Sequence, residues 1–298
     1  MKNYRRSDLA CEALEGSESI DGIESYECKD GDLVISTIRI VSEVAATALE
    51  KKLGTYVTVS TPELWKIDDE QLCKYAITVG REIRKILCNA ANIKDVSQNT
   101  SILIVGLGNE LITADAIGPQ TLSRIDVTRH IKILDPSLFS LLDHCQISAI
   151  APGVLGRTGI ESADIVRAAC EEVVPDAIIV IDALAAGAIE RLACTVQISD
   201  GGINPGAGIG NLRSELSPDA LGRPVIAIGV PTVVDTSAVV YDALCRSGTD
   251  KDIPEALKAH LDNAERFYVT PKESDLITEK IAVLLSESIS EALRIKND

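Results

Sequence analysis

Four short runs of almost uninterrupted apolar residues constrain the fold of this chain more than any other feature. The runs cover residues 102–105, 148–151, 177–181 and 225–230, and they alternate with stretches of helical periodicity. Alternating apolar and polar residues indicate a strand with one wet face, whereas continuous apolar runs are typical of strands buried on both faces. The sequence therefore predicts an α/β fold with a mostly parallel sheet and helices on both of its faces.

The region before the first run has a different pattern. Residues 1–22 are polar and rich in Glu and Ser, which indicates a weakly ordered arm. Gly54 is placed to end a helix in a left-handed conformation. We expect an N-terminal α+β extension at residues 9–100, joined in a single domain to an α/β core at residues 101–298. The elements predicted in the extension are a hairpin at 23–28 and 33–40, helices at 42–52 and 68–88, and a strand at 55–61.

Composition excludes several classes of function. The chain of 298 residues carries a net charge of −16, so it offers no basic surface for direct nucleic-acid binding. No apolar run approaches the roughly 18–20 residues that a membrane-spanning helix needs. The eight cysteines are scattered without a C-x-x-C pair, which favours a reducing compartment over a disulfide framework or a zinc module. We expect a soluble cytoplasmic protein.

Aspartates follow the apolar runs at the places where an open α/β sheet binds ligands. Asp115 follows the first run, Asp182 ends the third, Asp200 lies in a Ser-Asp-Gly-Gly turn, and Asp235 follows the fourth. This topology can bring Asp115 and Asp182 to one rim of the sheet. Two close carboxylates cannot both ionise freely, so one can act as a base on water while the other donates a proton, as amide hydrolysis requires. Alternatively, these aspartates are helix caps or loop residues.

Other reaction chemistries have weaker support. The three histidines, His130, His144 and His260, do not follow the strands that frame the predicted cleft, which disfavours a Ser-His-Asp or Cys-His arrangement and a histidine-rich zinc site. A divalent metal bound by carboxylates remains an alternative. Residues 106–111 lack the third glycine of a dinucleotide loop, and the glycine-rich segment 201–211 lacks the Lys-Ser/Thr ending of a P-loop. That segment is either a close approach to a ligand or a surface loop.

Motifs at residues 106–109, 113–119, 148–156, 181–186, 208–211 and 224–235 belong to an ordered series from about residue 7 to residue 275. Together they resemble the spore germination protease family. The resemblance implies a fold similar to hydrogenase maturation proteases (phosphorylase/hydrolase-like) and an aspartate-dependent endopeptidase without a cofactor. Its proposed catalytic pair falls on Asp115 and Asp182. It also implies small acid-soluble spore proteins as substrates, a spore-cytoplasmic location and a homotetramer. The residues expected to bind substrate or support the site are Asn109, Asp200, Gly208, Asn211 and Asp235.

Members of this family are zymogens that remove their own N-terminus. The site resembles the one cut in their substrates: Ser or Thr, an acid, a bulky apolar residue, Ala, a small residue and Glu. The segment 7–12, Ser-Asp-Leu-Ala-Cys-Glu, fits this pattern in an arm that we expect to be accessible. We predict cleavage between Asp8 and Leu9, which makes residues 1–8 a propeptide and residues 9–298 the protease domain.

The sequence also departs from the family pattern at four positions. Ala114 replaces a proline, Gly187 an arginine, Asn204 a histidine and Leu212 a basic residue. These departures bear on substrate preference and rate, since both aspartates remain. Two alternatives stay open: a metal-assisted endopeptidase that uses the same aspartates as ligands, and a catalytically inactive paralogue that only binds spore proteins.

Overall fold

The computed structural model of the chain describes residues 7–14, 20–206, 214–249, 253–263 and 267–295. None of the helices in these ranges is long and apolar enough to cross a membrane. The strands are β1 (Ile23–Asp30), β2 (Leu33–Ile40), β3 (Gly54–Ser60), β4 (Ser101–Gly106), β5 (Gln146–Ile150), β6 (Ala177–Ala186), β7 (Thr195–Ser199), β8 (Val225–Asp235) and β9 (Tyr268–Val269). The helices are α1 (Ala10–Leu14), α2 (Glu43–Leu49), α3 (Asp69–Ala90), α4 (Ile117–Leu122), α5 (Arg129–Leu134), α6 (Pro136–Phe139), α7 (Leu155–Thr158), α8 (Ser162–Val173), α9 (Pro218–Leu221), α10 (Thr236–Ser247), α11 (Glu255–Asn263) and α12 (Ser274–Leu293).

These strands form one mixed sheet, in the order β1-β2-β3-β7-β8-β6-β4-β5, with β9 beside β8. The strands β5, β4, β6 and β8 are parallel, and they contain the four apolar runs. The N-terminal hairpin and β3 continue the same sheet in antiparallel pairing through β7. The predicted α/β class is confirmed. The parallel pairing is restricted to the core half of the sheet, and β7 is a strand that the sequence interpretation missed.

Helices cover both faces of the sheet, as predicted. On one face, α3 and α12 pack against an apolar layer that includes Ile104, Ile179 and Ile228. On the other face, α8 packs against Val105 and Val180. Successive side chains of a strand point to opposite faces, so Asp182, two residues after Val180, points to the α8 side. The α8 side of the sheet therefore carries the candidate site.

The predicted left-handed end of the first helix of the extension is wrong at Gly54. Helix α2 ends at Leu49, and Glu50 takes the left-handed conformation with φ 51°, its N–H bonding the carbonyls of Ala46 and Thr47. Gly54 instead begins β3 with φ 143°, where a Cβ would lie 2.5 Å from a carboxylate oxygen of Asp200. Glycine is therefore required there by a close approach rather than by a helix end.

The prediction of a weakly ordered, accessible arm is also wrong for residues 7–14. This segment contains α1 and packs on the α8 side of the sheet, where Leu9 and Ala10 are fully buried. Ala10 belongs to an apolar cluster with side chains of β2, α2 and β3, among them Ile40 and Leu49. The buried apolar surface and the hydrogen bonds described below hold a segment whose own sequence is mostly polar.

Candidate active site

Asp182 lies inside β6 and not at its end, which corrects the sequence prediction. Its side chain is 5% exposed, and one carboxylate oxygen accepts a hydrogen bond from the Ala183 N–H at 3.0 Å. The residue faces a cavity of about 130 Å³, which is also lined by Leu184, Gln197 and Asn204. A cavity of this size has room for water beside the carboxylate.

Asp8 lines the same cavity as Asp182. The backbone N–H of Asp8 donates to the carbonyl of Ala185 at 3.0 Å, and the Ala185 N–H donates to Oδ2 of Asp8 at 2.8 Å. The carbonyl oxygen of Asp8 accepts from Nζ of Lys51 at 3.0 Å and from Nε2 of Gln197 at 3.1 Å. The carbonyl side of the bond between Asp8 and Leu9 is thus anchored at a cavity that Asp182 also lines.

The residues after this bond are anchored as well. The Ala10 N–H donates to Oε1 of Gln197 at 2.7 Å, and Oε2 of Glu12 accepts from the Gly187 N–H at 2.8 Å. The hydroxyl of Ser7 accepts from the Leu9 N–H at 2.9 Å and donates to the Glu12 carboxylate. Both acidic side chains of the segment, at positions 8 and 12, therefore bind backbone N–H groups at the end of β6 or just beyond it.

Asp115 lies in a 3₁₀ turn, Thr113–Asp115, that folds back onto the end of β4. The Asn109 N–H lies 2.9 Å from Oδ2 of Asp115 and 3.0 Å from its carbonyl oxygen, and donates to both. Gly108 has φ 112°, and a Cβ there would lie 2.0 Å from the Asp115 carbonyl oxygen, so this approach requires glycine. The side-chain oxygen of Asn109 accepts from the Leu111 N–H at 3.1 Å. The Gly-Leu-Gly-Asn motif thus builds the turn that positions Asp115.

Asp182 lies in β6, and the turn that carries Asp115 follows the neighbouring strand β4. Immediately after β4, the Leu107 N–H donates to the carbonyl of Ile181 at 2.8 Å. The hydroxyl of Thr232, in β8, donates to the carbonyl of Ala114 at 2.6 Å, which ties the Asp115 turn to the strand on the other side of β6. Asp115 itself is not among the described residues that line the cavity with Asp8.

The other predicted supporting residues have mainly backbone partners. One carboxylate oxygen of Asp200 accepts from the Thr55 N–H at 2.6 Å, linking the end of β7 to β3. Asp235 is buried and caps α10 by accepting from the Ser237 N–H at 2.7 Å, as the alternative interpretation of these aspartates expects. The residues that lie outside the described ranges are Gly208, Asn211 and Leu212.

Burial shifts the pKa of two side chains beside the cavity. Burial lowers the pKa of Lys51, against the opposing attraction of Asp8, Glu50, Glu12 and Cys11. Burial also raises the pKa of Tyr56 to about 12, so this phenol stays protonated and donates to the Lys52 carbonyl at 3.0 Å. The segment that carries Lys51 is therefore held by a neutral donor on β3.

The sequence interpretation missed Lys51 and Gln197. Lys51 is one of two lysines after a short helix, a position typical of a solvated surface. Gln197 lies in β7, whose alternating sequence Thr-Val-Gln-Ile-Ser indicates a half-polar strand although every residue in it is buried. That alternation is the one signal in the sequence that could have revealed a polar side chain facing a covered site.

One hydrogen-bonded trio has the residue types of a Ser-His-Asp arrangement. Nδ1 of His144 lies 2.7 Å from a carboxylate oxygen of Asp143, and Nε2 lies 3.1 Å from the hydroxyl of Ser290. The trio precedes β5, whose first residue pairs with Ser101 at the start of β4. Asp182 instead follows Ile181, the partner of the last residue of β4. The trio therefore lies at the opposite end of the parallel strands, where it links the loop before β5 to α12.

Within the described ranges, no group of three or more His, Cys, Asp and Glu side chains is arranged to hold a metal ion. All eight cysteines are free thiols.

Comparisons with known proteins identify a family. The profile described as "Germination protease" matches residues 5–246. The germination protease of Caldanaerobacter subterraneus subsp. tengcongensis is 37% identical, covering 97% of this chain and 94% of its own length. That of Clostridium tetani is 36% identical, covering 97% and 95%. That of Bacillus subtilis is 41% identical, covering 80% of this chain and 66% of its own length.

A search of solved structures gives a weaker similarity. The [NiFe] hydrogenase maturation protease HycI from Thermococcus kodakarensis KOD1 is 16% identical, covers 65% of this chain and 95% of its own, and has a TM-score of 0.34, which is too low to define the fold. The sequence relatives cover nearly the whole chain at well over 30% identity. On the strength of the profile match and of these relatives, the chain belongs to the germination protease family and is an endopeptidase.

Proposed function

We propose that this chain is a zymogen that cuts its own Asp8–Leu9 bond and then initiates the degradation of small acid-soluble spore proteins during germination. One observation carries the proposal: Asp8 and Asp182 line the same cavity, and the Asp8 carbonyl oxygen is held by two donors. A bond fixed beside a buried carboxylate, with space for water, has the arrangement that hydrolysis needs.

The contacts of the N-terminal segment support a common recognition of self and substrate. The acid at position 8 binds the Ala185 N–H, Leu9 and Ala10 are fully buried, and Glu12 binds the Gly187 N–H. Position 11, where the substrate pattern accepts any small residue, is only half-buried. Each position that the pattern restricts is thus bound or buried. Spore proteins that carry the same six-residue pattern are expected to bind in the same way.

The proposed chemistry uses Asp115 and Asp182 as a dyad without a metal or cofactor. One aspartate of the pair is ionised and takes a proton from water as the water attacks the Asp8 carbonyl carbon. The other aspartate is protonated at that stage. The proton then passes to the Leu9 nitrogen as the C–N bond breaks, leaving a carboxylate on Asp8 and an amine on Leu9. Burial of Asp182 and the close fit of the Asp115 turn support this assignment.

We also propose a homotetramer in the spore cytoplasm, without direct nucleic-acid binding. Exposed apolar side chains on and after α5 support assembly, because Ile133, Leu134, Leu138 and Leu141 are between 49% and 82% exposed. Clustered apolar surface of this kind is typical of an interface between subunits. A Leu134→Glu/Leu141→Glu variant should shift the mass measured by light scattering towards smaller species. An unchanged mass would exclude this surface from the assembly.

Intact-mass analysis tests the self-cleavage directly. The wild type, activated by mild acidification, should lose residues 1–8, whereas Asp182→Asn and Asp115→Asn should keep them. The matched control Asp164→Asn, at an exposed position on α8, should be processed like the wild type. A wild-type chain that keeps its N-terminus, or acquires one other than Leu9, contradicts the proposed bond.

Chelation separates the dyad from metal-assisted cleavage. Processing that continues in excess chelator supports the two aspartates acting alone. Loss of processing that is restored by a divalent ion would favour metal assistance by the same residues. Tight binding of a small spore protein without any cleavage, by the processed chain, would favour an inactive binding paralogue.

A further inference from the structure

We infer that Lys51 and Gln197 are catalytic residues that stabilise the oxyanion formed at the Asp8 carbonyl during cleavage. The inference rests on the proposed self-cleavage and assigns a role to two residues outside the aspartate pair. Both side chains touch the reacting carbonyl oxygen, at 3.0 Å from Nζ of Lys51 and at 3.1 Å from Nε2 of Gln197. Donors aimed at the atom where negative charge develops are the defining feature of an oxyanion hole.

The orientation of the Gln197 amide follows from its two neighbours. The Asp8 carbonyl can only accept a hydrogen bond, and the Ala10 N–H can only donate one. The amide nitrogen must therefore face the Asp8 oxygen, and the amide oxygen must face Ala10, as the distances of 3.1 Å and 2.7 Å have them. Gln197 thus bonds the backbone on both sides of the scissile bond, and its amide N–H donates to the Asp8 carbonyl oxygen.

Both donors are held in place before the reaction. Lys51 follows the left-handed residue Glu50, and its own N–H bonds the Ala46 carbonyl at 3.0 Å. The next residue, Lys52, is fixed by the hydroxyl of Tyr56. Gln197 lies at the centre of β7, paired with β3 on one side and β8 on the other. Preorganised donors on rigid elements stabilise developing charge without reorganisation during the step.

The step balances with these residues as donors only. Water adds to the Asp8 carbonyl carbon while an aspartate of the pair takes its proton, and the π electrons of the carbonyl move to the oxygen. The Lys51 ammonium and the Gln197 amide stabilise that oxyanion through their existing hydrogen bonds. The carbonyl then re-forms, the C–N bond breaks, and the Leu9 nitrogen receives the proton from the pair.

The positive charge of Lys51 lies where it can stabilise an oxyanion on Asp8. Lys51 is the cation that touches this oxygen, and it is largely removed from water, so its attraction for an oxyanion is poorly screened. Its ammonium also donates to the Ser7 carbonyl at 3.2 Å. The groups that face it are Asp8, Cys11 and Glu12 of the N-terminal segment, Glu50 at the end of α2, Lys52 beside it, Tyr56 on β3 and Asp182 on β6.

A competing explanation is that the two side chains only hold the segment in place. The two roles predict different kinetics, because a contact made equally in the bound and transition states changes affinity alone. Loss of oxyanion stabilisation instead lowers kcat while the affinity stays unchanged. A test must therefore measure binding and turnover separately.

The test uses the mature form of the chain, residues 9–298, expressed directly because the variants are not expected to process themselves, and a peptide of residues 3–16 as substrate. Lys51→Met and Gln197→Glu should each lower kcat about 100- to 1,000-fold, the usual loss for one oxyanion donor. Gln197→Glu keeps an oxygen for the Ala10 N–H while replacing the donor, so binding through Ala10 is preserved. Lys74→Met, an exposed lysine paired with Glu70, serves as the control for loss of a positive charge.

Binding is measured in an Asp182→Asn background of the same directly expressed 9–298 form, where the peptide stays intact and residues 1–8 are absent. The Kd of the peptide should change less than about tenfold when Lys51→Met is added, a much smaller effect than that on kcat. A Kd that rises as much as kcat/KM falls, with kcat unchanged, would assign Lys51 to positioning and overturn the inference. Failure of the wild type to cut at Asp8–Leu9 would instead overturn the self-cleavage itself.

The dependence of kcat on pH gives a second test, because a purely structural role for Lys51 would leave that dependence unchanged. Burial lowers the pKa of Lys51, so its ammonium is present below that pKa and is lost as the pH rises through it. Wild-type kcat should therefore fall on the alkaline side. Lys51→Arg, which keeps its charge, should extend activity to higher pH even if its kcat is lower. An identical alkaline limb in both proteins contradicts an electrostatic role for Lys51.

Discussion

Leu9 gives the sharpest quantitative prediction, because it is the fully buried side chain directly after the scissile bond. A peptide of residues 3–16 with Leu9→Ala should be cut by the processed enzyme much more slowly than the unmodified peptide. Truncation to Ala removes the equivalent of three methylene or methyl groups from a site without solvent. At about 0.8 kcal/mol for each group, the loss is about 2–3 kcal/mol of transition-state stabilisation.

This free energy corresponds to a decrease in kcat/KM of about 30- to 150-fold, since each 1.4 kcal/mol is about a factor of ten. The value is a lower bound if the emptied site does not collapse, because a cavity adds to the cost. The assay follows new amino termini by mass spectrometry at substrate concentrations well below KM, where the rate reports kcat/KM alone.

The matched control is a Cys11→Ala peptide. Cys11 is adjacent to the same buried residues but only half-buried itself, so its truncation should change kcat/KM by less than about threefold. Equal kcat/KM values for the Leu9→Ala and Cys11→Ala peptides would refute the reasoning. They would mean that the substrate does not occupy the site in which residues 7–12 lie.

Three further predictions concern the rest of the structure. Gly108→Ala should abolish processing, because a Cβ there would lie 2.0 Å from the Asp115 carbonyl, whereas Gly156→Ala, in open space, should process normally; equal processing would contradict the role of this turn. Ser290→Ala should leave kcat unchanged in the peptide assay, and a hundredfold loss would move the chemistry to the histidine trio. Arg84→Met should lower the free energy of unfolding by about 2–4 kcal/mol in urea denaturation, because this buried side chain bonds two carbonyls at the end of α12, and a change below about 0.5 kcal/mol would contradict that contribution.

Local sequence was sufficient to predict the buried strands of the core. Residues 102–105 and 225–230 form parts of β4 and β8 because continuous β-branched and aliphatic side chains fit a sheet that is covered on both faces. Sequence did not indicate that β6 continues past Asp182. The continuation consists largely of Ala, which has little preference for strands, and its extended conformation follows from pairing with β8 through Ala186.

Non-local contacts explain the other differences from the sequence predictions. Residues 7–14 look like a solvated arm because their partners, Ala185, Gly187 and Gln197, lie more than 170 residues away along the chain. The choice of Asp8–Leu9 came from a similarity in pattern and stays a prediction. Asp115 could be singled out because it follows the first apolar run, where an open α/β sheet binds ligands, whereas Lys51 had no local signal of burial.

The burial of Leu9 has a consequence for timing. Hydrolysis would turn its neutral amide nitrogen into an amine, whose pKa is near 8 in water, and the Asp8 carbonyl group into a carboxylate. Two charged ends in so dry a place are better hydrated outside, so the cut favours release of the segment. Until then the tethered segment competes at an effective concentration in the millimolar range, which free substrates seldom match. The intact bond would thus keep the site occupied by the chain's own N-terminal segment. Its cleavage would open the site to substrates.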